Sequence, residues 1–131
     1  MQSVETVGHL VAEGQGTLQI PVTVTYDPRS CPFSLEMTFH SEAAVTWVFA
    51  RELITNPSLS VPGADLFISV SGAYADSLLL RLSSPNGTAI VAVPRADLEQ
   101  FVAATFEHVP AGTEMTWVNI DDVVTGLLAA E

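Results

Sequence analysis

With 131 residues, the chain is long enough for one domain that hides about two thirds of its unfolded surface, so neither a disulfide nor a metal is needed to hold a core. Four arginines (Arg29, Arg51, Arg81 and Arg95) and no lysine stand against 15 acidic residues, a net charge of −11, which excludes the clustered cations that a phosphate backbone or an anionic membrane surface requires. The chain is also 48% hydrophobic, more than a small monomer covers easily, and a homo-oligomer is expected.

Val4 to Val11 reads as a first strand, and EGQG, around Gly14 and Gly16, as the hairpin turn into the next. From Thr17 to Tyr26, Leu18, Ile20, Val22, Val24 and Tyr26 alternate with polar residues and Pro21, the period of a half-buried strand. Pro21 has no N–H to give a ladder, so this strand is expected at a sheet edge or bulged there. YDPRSCP is a turn, and Phe33, Leu35, Met37 and Phe39 mark a third strand.

The following stretch is ambiguous. Val45, Trp47 and Phe49 alternate as in a strand, and their β-branched and aromatic character favours a strand from Val45 to Ala50 running into a helical turn at Arg51 to Asn56. Glu42 through Ile54 can also be written as a helix. ADLFISVS adds another strand, and LLLRL and TAIVAV form a hairpin across SSPNG, where Asn86 and Gly87 accept the positive φ of a tight turn.

The last third changes period. Leu98, Phe101, Val102, Phe106 and Val109 fall on one helical face, predicting an amphipathic helix from Arg95 to about Glu107. Ile120, Val123, Val124, Leu127 and Leu128 repeat the pattern in a second helix. Asn119 is its N-cap, and Asp121 and Asp122 sit at the positive end of its dipole. Gly126 weakens that helix by about 1 kcal/mol relative to alanine.

Chemistry-bearing constellations are absent from the pattern. His9, His40 and His108 lie on three separate elements, and none is spaced with another ligand as a metal site requires. There is no nucleophile elbow, no lysine for a Schiff base, and no cationic neighbour to activate Cys31. No catalytic residue, cofactor site or metal site is therefore assigned. The lone cysteine fits a reducing compartment, no run reaches the length of a membrane span, and MQSVETVGHL has no secretory character, so a cytoplasmic protein without direct membrane insertion is expected. Trp47, Arg51 and Trp117 are the candidate partner-binding residues. For Arg51 the plain alternative is a side chain that snorkels at a strand end and pairs with one of the many acids; for the tryptophans it is core or subunit packing.

Phe39-His40 followed by Val45-Thr46-Trp47-Val48-Phe49-Ala50-Arg51-Glu52-Leu53 resembles the F-H…V-x-W-V-F-A-R-[DE]-L signature of the SsgA-like proteins, sporulation and cell-division regulators of filamentous and spore-forming actinomycetes. Leu82-Ser83-Ser84-Pro85-Asn86-Gly87 is similar to that family's L-S-S-P-x-G, and Pro110-Ala111-Gly112-Thr113-Glu114 to its P-x-G-T-E, so the resemblance runs essentially from end to end. Cys31-Pro32-Phe33 departs from it, standing in place of an Asp-Pro-Tyr-like segment.

The resemblance implies an α+β fold: two antiparallel β-sheets forming a barrel-like or sandwich core with C-terminal helices, Whirly-like and trimeric. It implies a non-enzymatic regulator of sporulation-specific division at the septum that recruits the tubulin-like protein FtsZ and works with an SsgA-type membrane-associated partner. It carries no catalytic residues and no cofactor. Single-stranded nucleic-acid binding, suggested by the Whirly-like fold alone, is the alternative, and the charge of −11 opposes it. A small-ligand binder would need a pocket with converging polar groups.

Overall fold

The computed structural model describes residues 1–11 and 18–129. Seven strands form a single antiparallel sheet: β1 (Gln2–Leu10), β2 (Leu18–Tyr26), β3 (Ser34–His40), β4 (Ala44–Ala50), β5 (Leu66–Ser69), β6 (Ser77–Ser84) and β7 (Gly87–Pro94), in the spatial order β4-β3-β2-β1-β7-β6-β5. A short helix, α1 (Glu52–Thr55), links the two groups of strands, and α2 (Arg95–His108) and α3 (Ile120–Ala129) end the chain. The α+β class and the C-terminal helices match the expectation; the two sheets do not. Instead, two meanders, β1–β4 and β5–β7, are joined into one nearly closed sheet. Among the described residues their seam is short: β1 pairs with β7 at His9↔Ala92 and Leu10↔Val91, and the Val11 N–H continues the ladder to the Ile90 carbonyl at 2.8 Å.

The ambiguous stretch resolves as a strand followed by one turn of helix. Val45, Trp47 and Phe49 stand opposite Phe39, Met37 and Leu35 on β3, a pairing that a helix from Glu42 to Ile54 would forfeit. At Pro21 the expectation needs correcting. Strand β2 is interior, and its register with β1 runs unbroken through Val7↔Pro21. The missing N–H is tolerated because β3 pairs with β2 only from Val22 to Thr25, leaving Pro21 open on that side. The β6–β7 hairpin also forms, but among the described residues no non-glycine residue has positive φ; within this turn Gly87, at φ 136°, takes that conformation and Asn86 does not. Asn86 instead donates its backbone N–H to the Ser84 hydroxyl. The turn expected at Gly14 and Gly16 lies outside the described residues.

One face of the sheet carries the core. Val22, Val24 and Tyr26 of β2, Leu35 and Met37 of β3, Leu78 and Leu80 of β6 and Val93 of β7 are all essentially inaccessible. Leu98, Phe101 and Val102, one stripe of α2, join the same cluster, and α2 lies against β1, β6 and β7. Its first turn is pinned where the Thr6 hydroxyl donates to Asp97 at 2.7 Å. The alternation fails at the strand ends: Leu18 and Phe33 continue the apolar pattern but are exposed.

Gly8 lets the seam close. A Cβ at that position would lie 2.7 Å from Val91 Cγ1 and 3.3 Å from Val22 Cγ2, and β-branched valines in a packed sheet have little rotamer freedom to yield. Gly8→Ala should lower stability by about 1–2 kcal/mol through overpacking, measured by urea denaturation. Gly72→Ala, where nothing lies within 4 Å of the new Cβ, should stay close to wild type.

Candidate functional site

Arg51 leaves the end of β4 and enters the protein interior, where it is 1% exposed. Its Nη1 donates to Thr105 Oγ1 at 3.3 Å, and its Nη2 donates to the Val109 carbonyl at 2.7 Å and to Glu114 Oε2 at 3.2 Å. Thr105 spends its own proton on the Val102 carbonyl, so its oxygen is free to accept. Val109 caps the C-terminal end of α2, and the helix dipole favours a cation there. The guanidinium carbon lies 3.9 Å from the centre of the Phe106 ring and 5.1 Å from that of Tyr26, a cation–π sandwich shielded from water. Among the described residues Nε has no hydrogen-bond partner. Of the plain alternative for Arg51, the pairing with an acid is found and the snorkelling is not: aromatic faces and a helix terminus solvate this charge in place of water.

Glu114 completes the cage. Gly112, with φ 90°, turns the chain so that its N–H donates to Glu114 Oε1 at 2.7 Å while the other carboxylate oxygen meets Arg51. Its own backbone N–H, then the Arg51 guanidinium and the Gly112 N–H, hold the Glu114 carboxyl below the usual glutamate range against the opposing effect of burial. Burial pushes the Tyr26 phenol up, against the nearby Arg51 charge, and the hydroxyl remains a donor to the Pro32 carbonyl at 2.7 Å.

The three candidate residues occupy different places. Trp47 projects from the core face of β4 and is partly buried. With Phe39, Val45, Leu82 and Val91 it lines a cavity of about 400 Å³ between the two meanders. Arg51 borders a second, largely apolar cavity of about 620 Å³, with Phe33, Phe106, Pro110 and Glu114. Trp117 sits in a 3₁₀ turn (Glu114–Trp117) that starts at the Arg51 partner, and its ring lies 5.2 Å from that of His108. Arg51 and Trp117 are thus linked through Glu114, while Trp47 stands apart.

Immediately beyond Trp117, the Asn119 side chain accepts from the Asp122 N–H at 3.1 Å and caps α3 as expected. The apolar stripe of α3 is uncovered. Ile120, Val123, Val124, Leu127 and Leu128 are 46–70% exposed, and none of the residues of α3 is buried. This arrangement suits burial against another protein surface. The residues that sequence alone did not single out are Thr105, Phe106 and Tyr26 of the arginine cage and Glu114. Of these only Glu114 left a signal, as the last residue of Pro110-Ala111-Gly112-Thr113-Glu114.

Residues 20–114 match the family described as Streptomyces sporulation and cell division protein, SsgA. The sporulation-specific cell division protein SsgB of Salinispora tropica is 35% identical, over 96% of this chain and 92% of that protein. The protein of the same name from Streptomyces coelicolor is 32% identical, over 92% and 90%. Among solved structures, the SsgA-like sporulation-specific cell division protein of Thermobifida fusca superimposes with a TM-score of 0.77 at 27% identity, covering 95% of this chain and 93% of that one. A structure described with SsgB mutations that correlate with longitudinal cell division during sporulation of Streptomyces coelicolor gives 0.74 at 31% identity, covering 88% and 94%.

Removing one member of a buried ion pair strands its partners without water. Arg51→Ala should cost about 3–5 kcal/mol in chemical denaturation, and Arg51→Lys should recover only part of it, because an ammonium cannot reach the same three acceptors or stack as a plane. Because the folded-state pKa of Glu114 is depressed, its contribution is complete above the unfolded glutamate range and is lost as pH falls through the lower folded value. The melting temperature should drop over that acidic window, and Glu114→Gln should flatten the drop there.

Proposed function

This chain belongs to the SsgA family of sporulation and cell-division proteins, and on that premise we propose that it works in sporulation-specific division as a non-catalytic homotrimer that positions the septum and recruits FtsZ. Its relatives are named sporulation-specific cell division proteins, so the role in sporulation division rests on the family. The finer reading is supported chiefly by one observation: the exposed apolar stripe of α3, presented next to Trp117 on a base anchored by Arg51 and Glu114. Such a stripe favours contact with another protein, since burying a leucine or valine side chain contributes about 1.5–3 kcal/mol. No helix among the described residues is long and apolar enough to cross a membrane. An SsgA-type membrane-associated partner would supply the link to the septal membrane.

Electrostatics favours this reading over single-stranded nucleic-acid binding. Two of the four arginines are already committed to acids, Arg51 to Glu114 and Arg95 to Glu99, so they leave no cationic groove for a phosphate backbone. Trp47 and Trp117, both partly exposed, are proposed as side chains that a partner meets. Arg51 acts from beneath, holding the Glu114–Trp117 turn in place.

The protein should pellet with purified FtsZ polymers and sediment as a trimer by itself. Leu127→Glu with Leu128→Glu, both at exposed positions, should leave the circular dichroism spectrum and melting temperature unchanged while weakening pelleting at least about tenfold. Failure of the unmodified protein to pellet with FtsZ at low and moderate salt would refute recruitment.

A further inference from the structure

The nearly closed sheet ends on β4 on one side and β5 on the other. These two edges differ. Strand β5 is four residues long, whereas β4 spans seven, and its sequence Ala44-Val45-Thr46-Trp47-Val48-Phe49-Ala50 contains no charge, proline or glycine. Edge strands normally carry such features because unpaired N–H and C=O groups template the addition of another strand. The direction of those groups follows from the ladder. The Arg51 N–H donates to the Phe33 carbonyl at 2.9 Å, and antiparallel pairs alternate between bonded and non-bonded. Leu35↔Phe49, Met37↔Trp47 and Phe39↔Val45 are therefore the bonded pairs, so Thr46, Val48 and Ala50 direct their backbone groups outward, away from β3. Among the described residues nothing pairs with them.

We infer that β4 is a docking edge for an extended segment of a partner protein, added antiparallel as an eighth strand. Side chains opposite Val45 and Trp47 would enter the cavity of about 400 Å³ that those residues line, which asks for apolar groups at alternate positions. Charge selects what flanks them. Exposed Glu42 and Glu52 bracket the two ends of β4, and Glu36 stands opposite Val48 on the outer face. A segment carrying arginine or lysine at its ends complements that rim. A second copy of this chain fits less well: full overlap of two β4 strands sets Glu42 of each against Glu52 of the other, on molecules of net charge −11. This surface is separate from α3, and its test requires neither FtsZ nor any role in division.

A synthetic peptide alternating valine and threonine with an arginine at each end serves as the probe, compared with the same peptide ending in glutamates. With the arginine peptide at saturation, amide exchange at Thr46 and Val48 should slow about tenfold, and the glutamate peptide should do far less. Val48→Pro removes one outward donor without touching the β3 ladder and should weaken arginine-peptide binding about tenfold. Val48→Lys, which keeps the backbone intact, should weaken it similarly through an unfavourable charge, so the test survives if the proline variant unfolds. Unchanged exchange at Thr46 and Val48, or equal protection by both peptides, would overturn the inference. Protection that rises with protein concentration alone would also overturn it, by assigning the edge to a second copy.

Discussion

A guanidinium held out of water organises the end of the molecule from which Trp117 and α3 project. Arg51 reaches from the end of β4 to the C-terminal end of α2 and to Glu114 in the following loop, so one side chain ties the end of β4 to a stretch 54 to 63 positions further on. A buried charge survives only if its donors are matched and its field is met, and here a threonine hydroxyl, a helix-terminal carbonyl, a carboxylate and two aromatic rings share that task. The 3₁₀ turn that begins at Glu114 carries Trp117, so this electrostatic tie, together with the packing of Trp117 on the core and against His108, places the start of α3.

The family signature gains a physical meaning from this. The arginine of V-x-W-V-F-A-R-[DE]-L and the glutamate of P-x-G-T-E are the two halves of one ion pair, Arg51 and Glu114, 3.2 Å apart. The third motif, Leu82 to Gly87, is the β6–β7 hairpin, whose glycine supplies the positive φ. The motifs therefore encode the frame. Beside it lie the exposed apolar stripe of α3, the uncharged edge of β4 and the partly exposed Trp47 and Trp117.

The apolar excess in the composition is placed by the same frame. Among the described residues the two meanders meet over a short ladder from His9 to Val11 at the end of β1, and the sheet stops short of closing, which leaves a lined gap and an unpaired edge. A single 131-residue chain with one cross-packed helix does not cover both the sheet and a second helix. α2 fills the core, and α3 remains outside it. Apolar surface therefore stays exposed on this chain, chiefly along α3.

Much was already legible from the order of residues, because strand and helix periods are local. The alternation in β2 and β3, the three-four spacing of α2 and α3 and the N-cap at Asn119 each follow from neighbours a few positions apart, whereas Val45 to Ala50, favoured as a strand but also writable as helix, is decided by its pairing with β3. What hydrogen-bonds across the sheet is not local, and so the joining of two meanders into one sheet, the interior position of β2 despite Pro21, and the close approach at Gly8 required the tertiary structure. The same holds for Arg51. An arginine after a strand looks like a surface residue until Thr105, Phe106 and Glu114 arrive from 54 to 63 positions away to solvate it. Periodicity predicts which faces are apolar; only packing decides which of them finds cover, and α2 found it while α3 did not.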